Sequence, residues 1–428
     1  MLKASRYNFF AHLNEQTRLM FNGISGALYE LDQAEYAIIQ NILEQPITSE
    51  IENPASVRLL VDGGFLIPSD VDEVASILQR GQLECAHHKT LDLTISPSYE
   101  CNFRCTYCYV DFVPGRMTFS DEQSVARFVE RSLPAHKQLN LTWFGGEPLL
   151  CLPSVKRMNL QIAELCARYD IQFYSFLTSN GYLLTKKNIT SLLDIGIRYF
   201  HVTIDGPAAD HDRLRVRAGG APTYTRILKN IKVLLADFSA THLTLRMNVA
   251  EENVGHLGEL LGEIPADYRA RVQVNIAPIE GCAAQPSPSL YKQINQVYRQ
   301  AIEMGYIYYD LPISTKKYTY CNADKHNNFQ IGPGAQVYKC SPSGKPEVQV
   351  GILDEAGQLC LNAKYEQWHA VPLFMDMCHE CQYLCFCRGN CRLKRLRHSN
   401  SEDCAARYQD LENLIINRYL AIVNGQGN

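Results

Sequence analysis

The sequence has no long apolar run, no strong charge of either sign and no secretion signal. No stretch approaches the ~18 uninterrupted apolar residues of a membrane span, and the start, MLKASRYNFF, lacks the apolar core and cleavage site of a signal peptide. The formal charge is −4, from 41 basic and 45 acidic residues, so no strong field attracts nucleic acid or an anionic membrane. We therefore expect a cytoplasmic protein that binds neither.

Cysteine, by contrast, is abundant. The 428 residues include 16 cysteines, and in a reducing compartment such a count indicates metal binding more than disulfides. Three of them, Cys101, Cys105 and Cys108, share one segment, and five more crowd residues 378–391. Four isolated cysteines are expected to be small buried apolar side chains: Cys85, Cys151, Cys166 and Cys282.

The length predicts two to three domains at roughly 150 residues per domain, and residues 1–88 are predicted to form a separate winged module. Asp32 followed by Glu35 is a capping-box signature that starts a helix, and the Gly63-Gly64 pair ends a second helix. The predicted elements are strands at Arg18–Asn22 and Ala27–Leu31, helices from Asp32 and over Ala55–Val61, and a return strand at Phe65–Ile67.

Residues 89–310 alternate strands with helices. Six such units predict an α/β domain with a parallel sheet that curls into an open, partial (β/α)6 barrel. The loops after the strands then form the active site. The strands are predicted at Leu91–Ser96, Leu139–Phe144, Gln172–Thr178, Arg198–Ile204, Leu243–Val249 and Val272–Pro278. Residues 311–428 are predicted to form a loop-rich, cysteine-rich domain that a helix over Cys404–Val423 closes.

The segment CNFRCTYC, residues 101–108, places three thiolates in one loop after the first of these strands. Three thiolates hold three corners of a [4Fe–4S] cluster and leave the fourth iron open. A structural zinc site normally has four protein ligands. The loop offers no fourth cysteine, and the nearest histidines are the more distant His87 and His88.

This triad, with an aromatic residue at Tyr107, is followed after the next strand by Gly-Gly-Glu-Pro at residues 145–148. The combination resembles the radical S-adenosylmethionine (SAM) superfamily. The resemblance implies that the open iron binds the amino and carboxylate groups of the SAM methionine. It also implies reductive cleavage of SAM to methionine and a 5′-deoxyadenosyl radical, which abstracts hydrogen from a substrate carbon.

The same resemblance gives roles to the Gly-Gly-Glu-Pro segment. Gly145 and Gly146 would let the backbone approach the ligand closely, because glycine has no Cβ. Glu147, or the carbonyls beside it and Pro148, would accept charge-assisted hydrogen bonds from the methionine ammonium.

Further SAM contacts are implied at the other loops. The main chain of Tyr107 would meet the adenine, and Arg215 would bind the carboxylate. Ser179, Asn180 and Asp205 are candidates for the ribose hydroxyls. Taken alone, the turns that contain these three residues are ordinary loops, and no general base is assigned.

A second set of cysteines resembles the seven-cysteine SPASM extension of radical SAM enzymes that modify peptides. This resemblance implies two auxiliary [4Fe–4S] clusters, three clusters in all. The implied ligands are Cys378, Cys381, Cys387 and Cys404 for one cluster, and Cys321, Cys340 and Cys391 for the other. That second set is one ligand short, so either the extra Cys385 or a substrate thiolate completes it. A zinc ribbon is the alternative for the CxxC pair.

Residues 392–398 form a basic run. It would offset cluster charge, dock an acidic electron donor such as flavodoxin or ferredoxin, or form a solvated helix face.

The N-terminal module resembles the PqqD-like leader-recognition domain of enzymes that mature ribosomally made peptides, which implies strand addition by a leader peptide. The alternative is a module that only covers the barrel. The predicted function is a radical SAM peptide maturase that forms an oxidative cross-link, with a cysteine thioether preferred over carbon–carbon cross-linking or epimerisation.

Two other functions remain. A sulfatase-type maturase is disfavoured because Ser341, not aspartate, follows Cys340, and because such enzymes usually begin near the barrel. An iron–sulfur electron carrier would not explain the Gly-Gly-Glu-Pro motif.

Overall fold

The computed structural model describes residues 1–44, 54–87, 89–110, 112, 114–279, 286–309, 313, 317–340, 345–397, 404 and 410–426. No helix within these ranges is long and apolar enough to cross a membrane. The strands are β1 Leu2–Ala4, β2 Asn8–His12, β3 Arg18–Asn22, β4 Leu28–Leu31, β5 Leu66–Pro68, β6 Thr90–Ile95, β7 Gln138–Trp143, β8 Gln172–Ser179, β9 Tyr199–Thr203, β10 His242–Val249, β11 Val272–Pro278, β12 Ile307–Tyr308, β13 Asn328–Gly332, β14 Gln336–Tyr338, β15 Gln349–Leu353 and β16 Leu359–Leu361. The helices are α1 Gln33–Glu44, α2 Pro54–Asp62, α3 Glu73–Ala86, α4 Phe119–Ser132, α5 Leu152–Arg168, α6 Lys186–Leu193, α7 Ala208–Leu214, α8 Tyr224–Asp237, α9 Leu257–Gly262, α10 Ala266–Arg269, α11 Pro288–Glu303, α12 Ala363–Ala370, α13 Leu384–Cys387, α14 Arg392–Arg397 and α15 Leu411–Ala421.

The N-terminal residues form an antiparallel sheet in the order β2-β3-β4, while β1 pairs with β5. The predicted capping box is confirmed: the Glu35 amide donates to Asp32 Oδ1 at 2.8 Å, and the Asp32 amide donates to a Glu35 carboxylate oxygen at 2.9 Å. The second helix and the return strand are also confirmed. The sequence interpretation missed β1, β2 and α3.

The predicted α/β fold is confirmed, and all six predicted barrel strands are present. Strands β6 to β11 are parallel and adjacent in chain order. On β6, Leu91, Leu93 and Ile95 belong to the core under the helices, while Thr94 faces a cavity. Since residues of β6, β9 and β11 line this same cavity, the sheet curves around it.

The sheet does not end with the six barrel strands. Strand β13 pairs in parallel with β6, and β14, β15 and β16 follow as an antiparallel extension. The region after residue 310 is therefore less loop-rich than expected. Its strands are short and carry little periodicity, so they could not be recognised in the sequence. The last helix begins at Leu411 with Asp410 as its N-cap, not at Cys404, and residues 405–409 lie outside the described ranges.

The N-terminal module packs against the cysteine-rich segment through aromatic rings. Phe386 contacts Phe9 and Phe21, with ring centroids 5.2 and 6.0 Å apart. A Cβ on Gly23 would lie 2.5 Å from the Cys385 sulfur. These residues share one core with α15, so the module and the cysteine-rich segment form a common packed interface.

The Asn22 side chain joins segments of the N-terminal module through hydrogen bonds. Its side chain is 1% exposed. The amide nitrogen donates to Asn8 Oδ1 and Gly64 O, both at 2.9 Å, and the amide oxygen accepts from the backbone amides of Ile24 at 3.0 Å and Ser25 at 2.8 Å. Every polar atom of the side chain is therefore satisfied inside the protein.

The substitution Asn22→Ala is predicted to lower the free energy of opening of β2–β4 by about 2–3 kcal/mol, because several buried hydrogen-bonding groups lose their partner. Hydrogen exchange of the strand amides measures this directly. Asn14→Ala, at an exposed turn, is the control and should cost less than about 1 kcal/mol. Equal protection in both variants would contradict the prediction.

Candidate functional site

The triad loop is held by backbone hydrogen bonds on two sides. On one side, the Gly146 amide donates to Ser98 O at 3.1 Å and the Glu147 amide donates to Glu100 O at 2.9 Å. On the other side, the Arg104 amide donates to Val216 O at 2.8 Å, and the Thr106 amide donates to Leu214 O. The loop after β6 is thus fixed between the loop after β7 and the segment after α7.

The two glycines after β7 are required by this packing. A Cβ on Gly145, whose φ is +119°, would overlap Ser98 O, and a Cβ on Gly146 would overlap Glu100 O. The sequence interpretation placed the close approach at the SAM ligand. In the structure both glycines lie against the triad loop and so position the cysteines, and their approach to SAM stays a prediction.

The triad thiols lie in a partly buried environment with N–H donors nearby. The Phe103 amide donates to Cys101 Sγ at 3.4 Å, and Asn180 Nδ2 donates to the same sulfur at 3.8 Å. Burial raises the pKa of the Cys101 thiol to about 12, and metal ligation stabilises the thiolate. Cys105 is half-buried and Cys108 is exposed, and all three thiols line the central cavity.

Glu147 joins the loops after β7 and β8. Its fully buried carboxylate accepts from the Leu149 amide at 3.1 Å, the Ser179 hydroxyl at 2.9 Å and the Asn180 amide at 2.8 Å. Burial raises its pKa to about 7. With its carboxylate engaged in this way, the adjoining backbone carbonyls are the better acceptors for a methionine ammonium. Pro148 is buried at the start of the short helix that follows.

Tyr107, Asp205 and Arg215 meet beside the triad, and their roles toward SAM stay a prediction. Arg215 Nη1 donates to the Tyr107 hydroxyl at 2.6 Å and lies 3.7 Å from Asp205 Oδ2. The Tyr107 hydroxyl also donates to Asp205, and Asp205 Oδ1 accepts from the Asn248 amide at 2.8 Å. Burial raises the pKa of Asp205, and Arg215 opposes that shift.

Arg215 has one buried N–H that the described residues do not satisfy. Its Nε atom has no hydrogen-bond partner among them, although a buried guanidinium normally uses its donors. A carboxylate or hydroxyl of a bound ligand would satisfy it. Asp205 and Ser179, by contrast, already bond to protein groups, so their contact with a ribose stays a prediction.

A cavity of about 840 Å³ connects the triad with the C-terminal cysteines. From the barrel side it is lined by Gly145, Gly146, Ser179, Asn180 and Arg215. From the C-terminal side Cys321 and Cys387 reach it. The sequence interpretation missed its inner polar residues, Arg246 and Asn248 among them, although their alternation with Leu245 and Met247 on β10 indicated that they face inward.

The C-terminal cysteines fall into two groups. Cys321, Cys340 and Cys391 pack around one core with Trp368 and Leu393. The hydrogen bond between Cys387 and Cys404 raises the pKa of Cys387, and burial and the nearby Cys378 and Cys381 add to that shift. These neighbours are members of the two ligand sets that the family resemblance implied, and the ligand sets themselves stay a prediction. Among the described residues no three Cys, His, Asp or Glu side chains converge to hold a single metal ion; a cluster takes its thiolates on separate irons.

Cys385 lies elsewhere. It is buried in the core shared with Phe9, Phe21 and Phe386, facing the N-terminal module, and not in the core that contains Cys321, Cys340 and Cys391. The suggestion that Cys385 completes that set is therefore not supported by its position. Cys85, Cys151 and Cys166 are buried as expected, Cys282 lies outside the described residues, and Cys360 is exposed.

The basic run is mostly internal. Arg392 Nε donates to Asp324 Oδ1 at 2.8 Å, and the Arg392 and Arg395 side chains are 4% and 6% exposed. The interpretation of a solvated helix face is wrong for these two residues, since they surround a carboxylate three positions from Cys321. Arg397 is exposed and pairs with Glu347 at 2.7 Å.

A family model described as the radical SAM superfamily matches residues 95–263, which span the triad loop, the glycine loop and Arg215. The chain carries a radical SAM domain. The domain implies an enzyme that uses S-adenosylmethionine and a [4Fe–4S] cluster. The three thiols and their N–H···S donors fit the cluster, and the unsatisfied Arg215 Nε fits S-adenosylmethionine.

Relatives that match most of the chain are distant. It is 20% identical to the radical SAM cyclopropyl synthase TigE of Paramaledivibacter caminithermalis, over 91% of this chain and 89% of that one. It is 21% identical to a serine-type anaerobic sulfatase-maturating enzyme of Klebsiella aerogenes, over 74% of this chain and 82% of that one.

Two solved structures share the fold. Native anSMEcpe with bound AdoMet and the Kp18Cys peptide aligns with a TM-score of 0.60 at 18% identity, covering 78% of this chain and 99% of that one. Streptococcus suis SuiB bound to the precursor peptide SuiA aligns with a TM-score of 0.53 at 13% identity, covering 94% and 97%.

The substitution Gly146→Ala is predicted to displace the triad loop and to lower the iron content of anaerobically reconstituted protein by about four atoms per chain, the content of one cluster. The reason is the overlap of the new Cβ with Glu100 O. Gly255→Ala is the matched control, because a Cβ there meets no atom within 4 Å. Full iron content in Gly146→Ala would show that the loop tolerates the change.

The substitution Cys385→Ala is predicted to leave the iron content unchanged, whereas Cys391→Ala lowers it. Cys385 is buried among aromatic rings, and Cys391 shares its surroundings with two further cysteines. Iron and sulfide assays with paramagnetic-resonance spectra separate the two cases. Equal iron loss in both variants would make Cys385 a ligand after all.

Proposed function

We propose that this chain is a radical SAM peptide maturase that forms a cysteine thioether in a ribosomally made precursor peptide. The observation that carries the proposal is the single cavity that reaches both the triad and Cys321. A peptide in this cavity would contact the radical-forming loop and the incomplete cysteine group at once. The precursor peptide bound to SuiB, a protein of the same fold, supports a peptide substrate.

The incomplete cysteine group supports the thioether. Cys321, Cys340 and Cys391 supply three thiols, and a [4Fe–4S] cluster takes four ligands. With Cys385 in a different core, a thiolate of the substrate is the candidate for the fourth position. Such a ligand would present a sulfur to a substrate carbon in the same cavity.

Bound SAM and clusters would supply the radical chemistry. A substrate C–H would lose a hydrogen atom, the substrate thiol would lose a proton, a C–S bond would form, and the remaining electron would pass to an auxiliary cluster. The residues that would hold them are the cysteines named above, the backbone at Gly145 and Gly146, and Arg215. We propose three [4Fe–4S] clusters and a flavodoxin or ferredoxin as electron donor.

The N-terminal module offers an edge for a leader peptide. Strand β4 is at one end of the sheet β2-β3-β4, and among the described residues no backbone hydrogen bond joins its outer edge to another segment. The Glu30 side chain on β4 accepts from the Tyr419 hydroxyl of α15 at 2.5 Å, which leaves the backbone of that edge available. The opposite edge, β2, packs against α15, where the His12 amide donates to a Glu412 carboxylate oxygen at 2.8 Å. An extended leader would therefore add at β4, which supports recognition of a precursor.

A sulfatase-type maturase is the second candidate. The similarity to the Klebsiella enzyme and to anSMEcpe favours it. The alignment with anSMEcpe covers 78% of this chain and that with SuiB covers 94%, so the broader match favours the precursor-peptide enzyme.

Anaerobic assays with dithionite separate these functions. Wild-type protein should form 5′-deoxyadenosine from SAM, and a Cys105→Ala variant should form none; absence from both would indicate an electron carrier. With a cysteine-containing precursor, the maturase should yield a peptide that has lost two hydrogen atoms and one alkylatable thiol. An aldehyde that reacts with a hydrazide probe would establish the sulfatase-type reaction and contradict the thioether.

A further inference from the structure

Arg246 is a cation in the cavity that forms no ion pair with any residue in the part of the chain that the structure describes. It lies on β10, half-buried, and faces the cavity. Its Nε donates to Asn248 Oδ1 at 3.0 Å, and its Nη1 donates to Asn275 Oδ1 at 2.9 Å. Both partners are neutral amides, so the guanidinium is held in position without a counter-ion.

Three of the buried arginines in the described ranges, by contrast, lie within 4 Å of a carboxylate oxygen. Arg215 lies 3.7 Å from Asp205, and Arg392 and Arg395 lie 2.8 and 3.9 Å from Asp324. No ion pair to Arg246 is present within those ranges. An arginine placed in a cavity with only amide partners keeps donors for a ligand, and its planar fork suits a carboxylate.

The carboxylate that Arg246 senses at longer range is Asp205: burial raises the pKa of Asp205, and Arg215, Tyr107 and Arg246 oppose that shift. Asp205 already accepts hydrogen bonds from the Tyr107 hydroxyl and the Asn248 amide. His201 on the neighbouring strand also lines the cavity, and burial together with Arg246 lowers its pKa to about 4, so it is neutral at pH 7. Besides the cysteines, the charged residues lining the cavity are Arg215, Arg246, Arg388 and Asp410. Asp410 already accepts hydrogen bonds from Asn413 as the cap of α15.

Arg246 is also linked to the triad loop. Asn248, which accepts from Arg246, donates through Nδ2 to the Tyr107 hydroxyl at 3.1 Å. A group bound to Arg246 would therefore be held at a defined distance from the loop that carries Cys105 and Cys108. Arg215, which contacts Tyr107 directly and lies over the Phe103 ring at 5.9 Å, is nearer to the loop and better placed for SAM.

We propose that Arg246 binds a carboxylate of the substrate peptide, an Asp or Glu side chain, and so selects which residue is presented to the triad. This inference rests on the proposed peptide substrate. The side-chain amides of Asn248 and Asn275 hold the Arg246 guanidinium in position. The guanidinium N–H groups that do not bond to these amides bind the carboxylate.

The test is affinity selection from short peptides with cluster-reconstituted, SAM-bound protein. The peptides are acetylated and amidated at their ends, contain one cysteine, and form matched pairs that differ only in Asp or Glu against Asn or Gln. Wild-type protein should retain the acidic members roughly tenfold more strongly, as a charge-assisted hydrogen bond allows. Arg246→Gln should abolish the preference, and Arg246→Lys should keep part of it.

Asn275→Asp is the second variant, because it keeps the arginine and the shape of the cavity but supplies an internal carboxylate 2.9 Å from Arg246 Nη1. It should also abolish the acidic preference. Arg168→Gln, at a side chain 65% exposed on α5, is the charge control and should behave as wild type. SAM affinity, measured by equilibrium dialysis, should stay within about twofold in Arg246→Gln.

Three results would overturn the inference. An acidic preference that persists in Arg246→Gln and Asn275→Asp would place the anion site elsewhere. Loss of SAM binding in Arg246→Gln, with peptide selection unchanged, would make Arg246 a residue for the SAM carboxylate. Retention of no peptide by wild-type protein would reject the peptide substrate itself, and the inference with it, whereas retention without acidic preference would reject the inference alone.

Discussion

The site depends on one backbone contact, in which the chain at Gly145–Glu147 lies directly against the triad loop. Two hydrogen bonds, from the Gly146 and Glu147 amides, join the segment to the carbonyls of Ser98 and Glu100, and neither glycine has room for a Cβ. The buried Glu147 carboxylate then carries the constraint on to Ser179 and Asn180. Three loops after three consecutive strands are thereby fixed relative to one another, and the position of the thiols follows from that.

Much of this arrangement could be predicted from the sequence. The apolar residues of the barrel strands alternate or run continuously, so all six strands and their order were predictable, and with them the edge of the sheet where the site lies. The spacing of Cys101, Cys105 and Cys108 indicated a cluster. The grouping of Cys321 with Cys340 and Cys391 followed from a family resemblance, because residues so far apart in the chain give no local signal of contact.

What the sequence did not reveal were contacts decided by tertiary packing. Cys385 looks like a fourth ligand in the crowded segment, yet α13 turns it toward Phe9 and Phe21. Arg392 and Arg395 look like a solvated basic face, yet both surround the buried Asp324. The short strands β13 to β16 lack enough periodicity to be recognised, although they extend the sheet beyond the barrel. In each case the neighbouring elements of the fold determine which way the side chain or strand faces, and the local sequence does not.

Three separate sets of thiols lie around or beside one cavity in this chain. The most direct test is iron and sulfide content, with paramagnetic-resonance spectra, of anaerobically prepared protein and of a Cys101/Cys105/Cys108→Ala variant. We expect about twelve irons, falling to about eight in the variant, as three [4Fe–4S] clusters require. About four irons together with bound zinc in the wild-type protein would contradict the account, because the C-terminal cysteines would then form a structural zinc site.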